Sequence, residues 1–242
     1  MTSSELFIDI AKEGLQSSRL KDVGVNITIG TSLNDYRNSI DVSSRGYPVT
    51  SAFDDKEHPI EHSDCLFIIG ENKCGEVVHT QALRLIDLDN MTLSEYLGSN
   101  FLGFRPPSPQ MDKALSSYVS GPGASRITGT AVYHGEFWMS PNHGLRGEGL
   151  AGHMALIGFW MSYLVWSPSF WFAFILRTVA DKGLSVRANW LHHDPDALLW
   201  RSLNDGKHFN ALMAYLSRDD VVYLAKRCNL VEEKMLSWKL KI

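Results

Sequence analysis

Residues 136–152, GluPheTrpMetSerProAsnHisGlyLeuArgGlyGluGlyLeuAlaGly, join an apolar strand, a glycine-rich turn and a long apolar helix end to end. That order builds a phosphate cradle. A helix start leaves backbone N–H groups unpaired and carries partial positive charge, and glycine lets a ligand approach that backbone closely. Gly147, Gly149 and Gly152 are expected to form the approach surface. On the strand before the turn, His134 and Glu136 are proton-exchanging groups, and the alternation of side chains predicts that they share a face. Such a pair suits proton transfer, and equally a polar contact on a half-exposed sheet. HisHisAspProAsp, residues 192–196, contains metal-ligand residue types. Adjacent histidines on a strand point apart, however, and AspPro begins turns, so a turn or a substrate-contacting loop is expected there and no metal site. His153, inside the long helix, reads as a hydrogen-bonded core histidine, with a cofactor contact as the second reading.

These groups must be positioned by regular elements, and the periodicities supply them. Leu6 to Leu20 has helical spacing, Val23 to Ile29 alternates like a strand, and a short helix is expected from Asn34. Ser43 to Ser63, rich in Ser, Pro, Asp and His, reads as a long loop near a binding site. Residues 64–70 and 76–86 form the clearest hairpin, joined by GluAsnLysCysGly. A short helix around Leu93 to Leu97 precedes a Pro-rich stretch, Arg105 to Pro109. A β-rich run from Arg126 to Met139 then leads into the glycine turn. After the long helix, Pro168 separates off PheTrpPheAlaPheIleLeu as a buried strand, and a short helical piece ends near Gly183. Residues 208–216 are a further strand, and Arg218 to Leu230 a helix with Asp219 and Asp220 where its dipole favours them.

The 242 residues, 44% of them hydrophobic, suit one domain over 1–242 with a loop or small insertion at about 87–125. A net charge of −4 without blocks of like charge argues against a nucleic-acid partner. Cys65, Cys74 and Cys228 are too few and scattered for a disulfide framework, so a cytoplasmic setting is expected. The amino terminus lacks the basic start and apolar stretch of a secretory signal. Gly149 to Leu176 carries no Asp, Glu, Lys or Arg and is long enough to cross a bilayer, but Pro168 divides it into a buried helix and a buried strand. The aromatics Phe159, Trp160, Tyr163, Trp166, Phe170, Trp171, Phe172 and Phe174 are expected to be core, with an acyl tunnel as the alternative.

Strand, helix, long loop, hairpin, strand, glycine turn, helix, strand, helix, strand: this order resembles the Gcn5-related N-acetyltransferase superfamily, most strongly over residues 130–184. The implied fold is α/β, a mixed, largely antiparallel twisted sheet flanked by helices. The family's pyrophosphate loop, Gln/Arg-x-x-Gly-x-Gly/Ala, is matched by GlyLeuArgGlyGluGly at 144–149, except that Gly144 stands where Gln or Arg is usual. Arg146 or His143 is the expected substitute. A weaker echo of acyl-homoserine-lactone and N-acyl amino acid synthases lies in GlyTyrProVal at 46–49, PheAspAsp at 53–55, Asp64 and LeuArgLeu at 83–85.

The resemblance implies transfer of an acyl group from acetyl-CoA or a longer acyl-CoA to the amine of a small molecule. It implies coenzyme A contacts from Trp138, Met139, Gly144, Leu145, Arg146, Gly147, Glu148, Gly149, Leu150, Ala151 and Gly152. Glu136 is the first candidate base, ahead of His134 and Tyr133. No tyrosine aligns with the family's general acid; the alternatives are departure of the thiolate without a protein acid, or Tyr215, Tyr163 or a histidine in that role. The rival readings are a synthase fed by an acyl carrier protein and a non-catalytic acyl-CoA-binding regulator. A homodimer is compatible with any of them.

Overall fold

β-branched and aromatic runs become strands, and glycine and proline punctuate them. The computed structural model describes residue 20 and residues 23–57, 59–106, 110–142 and 149–239, with side chains to Cys228. In chain order the elements are β1 (Asn26–Gly30), α1 (Leu33–Asp41), β2 (Cys65–Glu71), β3 (Val77–Asp87), α2 (Leu93–Asn100), β4 (Ser117–Tyr118) and β5 (Thr130–Met139). Then come α3 (Leu150–Trp166), β6 (Phe170–Leu176), the short α4 (Arg177–Ala180) and α5 (Leu184–Arg187), β7 (His192–Arg201), β8 (His208–Ser217) and α6 (Arg218–Lys239). The helix expected over Leu6 to Leu20 lies outside the described residues except for Leu20, which is buried.

Among the described residues eight strands form one sheet, in the order β1-β2-β3-β5-β6-β8-β7-β4. Neighbours are antiparallel except β5 and β6, which run parallel. That parallel pair is short: Ala131, Val132 and Tyr133 meet Phe170, Trp171 and Phe172, and both strands continue beyond it without pairing to each other. The sheet therefore splits at its centre, next to His134 and Glu136.

One face packs Val132, Leu83 and Trp171 under α3 and α6, with Met154, Phe159, Trp160 and Leu224. The other packs Tyr133, Phe172 and Met213 under α1 and α2, with Tyr36, Phe53, Leu97 and Phe104. α3 is apolar on every side because sheet and α6 enclose it. No helix among the described residues is long and apolar enough to cross a membrane. Ser167 in left-handed conformation ends α3, and Pro168 follows, as the sequence predicts.

The structure corrects one assignment. Residues 192–196 belong to β7, not to a turn. The strand tolerates Pro195 because its pairing with β8 breaks between Asp194 and Leu198, a bulge at which Asp196 takes φ 50°. Buried Asp194 accepts the N–H groups of Gly123 (3.0 Å) and Ala124 (2.9 Å), fixing the segment that leads into β5. β4, a two-residue strand on the far side of β7, carries no signal in the sequence.

Candidate active site

Glu136 sits on a bulge in β5. Ala82 pairs Gly135 and Thr80 pairs Trp138, so Gln81 alone faces both Glu136 and Phe137. Glu136 takes φ 60°, a strained conformation for a residue with a Cβ. The extra residue reverses the alternation, and His134 and Glu136 point to opposite faces of the sheet. The shared face expected from simple period-two spacing is thereby overturned.

On the α1 face, Glu136 Oε1 accepts the Thr50 N–H (2.8 Å). Its Oε2 lies 2.5 Å from Arg45 Nη2 and accepts the Tyr36 hydroxyl (3.3 Å). Neither the Arg45 nor the Glu136 side chain has any exposed surface. Arg45 also donates to the Pro48 carbonyl (3.1 Å) and lies 4.1 Å above the Tyr47 ring. Burial, then the nearby Glu136 carboxylate, push the Tyr36 hydroxyl well up. The long loop predicted near a binding site thus wraps over Glu136. Arg45, Tyr36 and Thr50 were not anticipated; the loop's position signalled Arg45 and Thr50, and Tyr36 on α1 carried no signal.

On the α3 face, His134 Nε2 lies 2.7 Å from Gln81 Oε1, while Gln81 Nε2 donates to the Met154 carbonyl (2.8 Å). Because the amide nitrogen is committed, the amide oxygen must accept, and His134 carries its proton on Nε2. Burial pulls His134 down to about 3, so the ring is neutral. Gln81 was also missed. A polar residue inside the otherwise apolar ValValHisThrGlnAlaLeu was its signal, since such a group needs a partner. Tyr133 returns to the α1 face against Phe53, Phe104 and Phe172, and burial, then Glu136, raise its hydroxyl.

Both faces open onto one cavity of about 590 Å³. Arg45, Tyr47, Thr50, Glu136, Phe104 and Trp200 line it from one side, and His134, Phe137, Val179, Leu184, Ala188 and Trp190 from the other. It passes through the sheet at the split. Of the eight aromatics weighed for a tunnel, Phe174 alone lines it; the others pack in or against the cores.

Gly144, Leu145, Arg146, Gly147 and Glu148 lie outside the described residues. Gly149 begins α3 at φ 70° with no side-chain cap and no acidic residue in the first turn. Leu150 and Ala151 pack into the core below. A Cβ on Gly152 would stand 2.5 Å from the Arg187 carbonyl oxygen, and that glycine's own carbonyl accepts from Asn189 (3.1 Å). The space at Gly152 is taken by the protein's own backbone, not left for a ligand, as expected of an approach surface. This contact holds the start of α3 against the Leu184–Trp190 segment that lines the cavity. On β5, the Ser140 N–H bonds the Val78 carbonyl (2.8 Å), so alternation directs the Trp138 N–H toward β3 and the Met139 N–H toward the split.

Among the described residues no group of three or more His, Cys, Asp or Glu is placed to hold a metal ion. His192 instead meets Asp220 at 3.1 Å. Burial raises Cys65 to about 12, which leaves it inert as a nucleophile.

No family model and no curated protein matches the chain. Solved structures similar to it include a Drosophila melanogaster polyamine N-acetyltransferase, at 11% identity and TM-score 0.45 over 79% of this chain and 100% of that one. Arabidopsis thaliana NAA60 in complex with acetyl-CoA is similar at 12% identity and TM-score 0.43, over 80% and 98%. FeeM, an N-acyl amino acid synthase from uncultured soil microbes, is similar at 11% identity and TM-score 0.43, over 81% and 92%. Likenesses this distant decide nothing about the reaction. What the chain's own architecture shows is a fold: a mixed, largely antiparallel sheet flanked by helices.

Proposed function

We propose that the chain is a cytoplasmic, single-domain N-acyltransferase that moves an acyl group from a coenzyme A thioester to the amine of a small molecule. The observation that carries this reading is the cavity through the split sheet, with the start of α3 beside it on one face and Glu136 on the other. Two substrates can enter from opposite sides and meet without exchanging places.

In this reading the donor's diphosphate lies at the start of α3, where backbone N–H groups and the helix dipole favour anions. Its pantetheine arm follows the β5 edge past Met139. The amine enters beside Arg45 and Tyr47 and attacks the thioester carbonyl; the N–C bond forms, the C–S bond breaks, and the thiolate leaves, taking up the second proton that the acylated nitrogen sheds. Glu136 takes the ammonium proton directly or through water. His134 is a poor proton acceptor, because burial holds it near 3. Tyr133, with its hydroxyl raised by burial, is a donor and not a base. The apolar part of the cavity favours a second reading, an N-acyl amino acid synthase fed by coenzyme A or an acyl carrier protein.

The test is release of free thiol from acetyl-CoA and longer acyl-CoAs in the presence of a panel of amines, with binding measured separately by calorimetry. Amine-dependent thiol release supports the reading. Tight coenzyme A binding without turnover for any amine would point to a regulator, and absence of binding would remove the reading altogether.

A further inference from the structure

On the α3 side of the split, His134 carries the one side-chain hydrogen-bond acceptor among the described residues that line the cavity there. Its neighbours are apolar: Ala173 and Ile175 on β6, with Leu184 and Ala188 beside them. The Trp190 indole, whose ring centroid lies 6.0 Å from that of His134, can only donate. The His134 side chain is itself buried, the residue being 5% exposed.

The two nitrogens of an imidazole lie on opposite sides of its Cβ–Cγ axis. Nε2 turns to Gln81 on β3, one neighbour of β5, and Cε1 faces α3, where a Cβ on Gly158 would stand 3.6 Å from it. Nδ1 therefore turns to the other side of β5, where β6 has parted from that strand. Because the proton sits on Nε2, Nδ1 keeps its lone pair, and burial holds the ring neutral. The hydrogen bonds of the described residues commit Nε2 only, and a buried acceptor left without a donor is costly.

What meets Nδ1 follows from its position. In the acyltransferase reading Glu136, two positions along β5, marks where the amine attacks, and the donor arrives from the α3 side. A thioester, its sulfur and a simple acyl group carry no hydrogen-bond donor. The nearest one is the amide N–H of the pantetheine arm, separated from the sulfur by an ethylene unit. A neutral amide also loses far less than a charged amine on entering an apolar wall. We propose that His134 Nδ1 accepts a hydrogen bond from the pantetheine amide N–H nearest the thioester. The proposal rests on the acyltransferase reading, and gives a donor-binding role to a side chain too weakly basic to serve as its base.

The test is calorimetric titration of the wild-type protein with acetyl-CoA and with an analogue in which methylene replaces that N–H. The analogue should bind about tenfold more weakly, the worth of one buried hydrogen bond. His134→Phe, which keeps a ring but no acceptor, should bind the two alike. Equal affinity of the wild type for both, or the same loss in both proteins, would overturn the assignment and leave the acyltransferase reading intact. If the variant does not fold, nitrogen NMR spectra of histidine-labelled wild type decide. The unprotonated imidazole nitrogen should move to lower frequency with acetyl-CoA and hold its place with the analogue; the same response to both would overturn the proposal. A loss in His134→Phe confined to free coenzyme A would give Nδ1 to the thiol and overturn it too. Failure to bind acetyl-CoA at all would remove both readings.

Discussion

His134 and Glu136 stand two positions apart on β5 and face opposite sides of the sheet, because the bulge opposite Gln81 inserts a residue between two strand registers. One strand thereby presents a fixed neutral imidazole to the α3 side of the cavity and a buried carboxylate to the α1 side. The strained φ at Glu136 is the local cost of this division, and the hydrogen bonds around its carboxylate hold it in place.

The buried pair of Arg45 and Glu136 makes a stability prediction independent of activity. Arg45→Met leaves a carboxylate without its cation and should cost about 3–5 kcal/mol. Combining it with Glu136→Gln removes the orphaned charge, so the double variant should be more stable than Arg45→Met alone. Urea unfolding of the three proteins checks this; additive losses would mean the two groups do not act as a pair.

Acid should weaken the fold before any carboxylate accounts for it. Burial lowers both His79 and His134 from the usual 6.5 to about 3. The unfolded chain binds protons below about pH 6.5 that the folded chain refuses, so this stability is fully present above that pH. It is lost as pH falls from about 6.5 toward 3, by up to about 1.4 kcal/mol per pH unit for each ring. His79 is fully buried with the Trp138 backbone as its polar partner, so His79→Leu should cost no more than about one hydrogen bond, about 1 kcal/mol, at neutral pH and should flatten the acid slope. Melting temperatures between pH 4 and 8 for both proteins give the comparison, and parallel curves would refute it.

Much of this architecture was legible because local chemistry writes it. Gly149 and Pro168 bound α3, and the apolar run 170–176 reads as a buried segment. The hairpin of β2 and β3 followed from alternation and a turn of Asn, Lys and Gly. What stayed hidden depends on distant partners. The bulge at Glu136 is set by the register of β3, and Arg45 is a loop residue until the fold brings it to Glu136. β7 was read as a turn because AspPro is a turn signal in isolation, and a second strand with a matching bulge is needed to override it.

Two glycines on helices should respond oppositely to the same change. Gly152→Ala forces a Cβ to 2.5 Å from the Arg187 carbonyl oxygen, so backbone must move, at a cost of about 1–3 kcal/mol. The displaced first turn of α3 should also weaken coenzyme A binding. Gly98→Ala on α2 meets nothing within 4 Å and should stabilise by about 0.5–1 kcal/mol through helix propensity. Equal effects at both positions would mean that the contact between α3 and the Arg187 segment carries no strain.

Glu136→Gln separates a base from a structural carboxylate. The amide keeps the carbonyl that can accept the Thr50 N–H, so the loop over β5 can stay in place while the proton-accepting oxygen is lost. If Glu136 takes the ammonium proton, transfer should fall about 10²–10⁴-fold with donor affinity little changed, and raising the pH should recover part of the loss as the amine arrives already neutral. Stability should fall in either case, because the variant leaves the buried Arg45 cation without its carboxylate; a purely structural role would also lower donor affinity and give no recovery at high pH. Thiol-release rates at pH 7 and 9.5, set against calorimetric affinity for the donor, discriminate the two. Undiminished turnover in the variant would remove Glu136 from the chemistry and leave the proton to water alone.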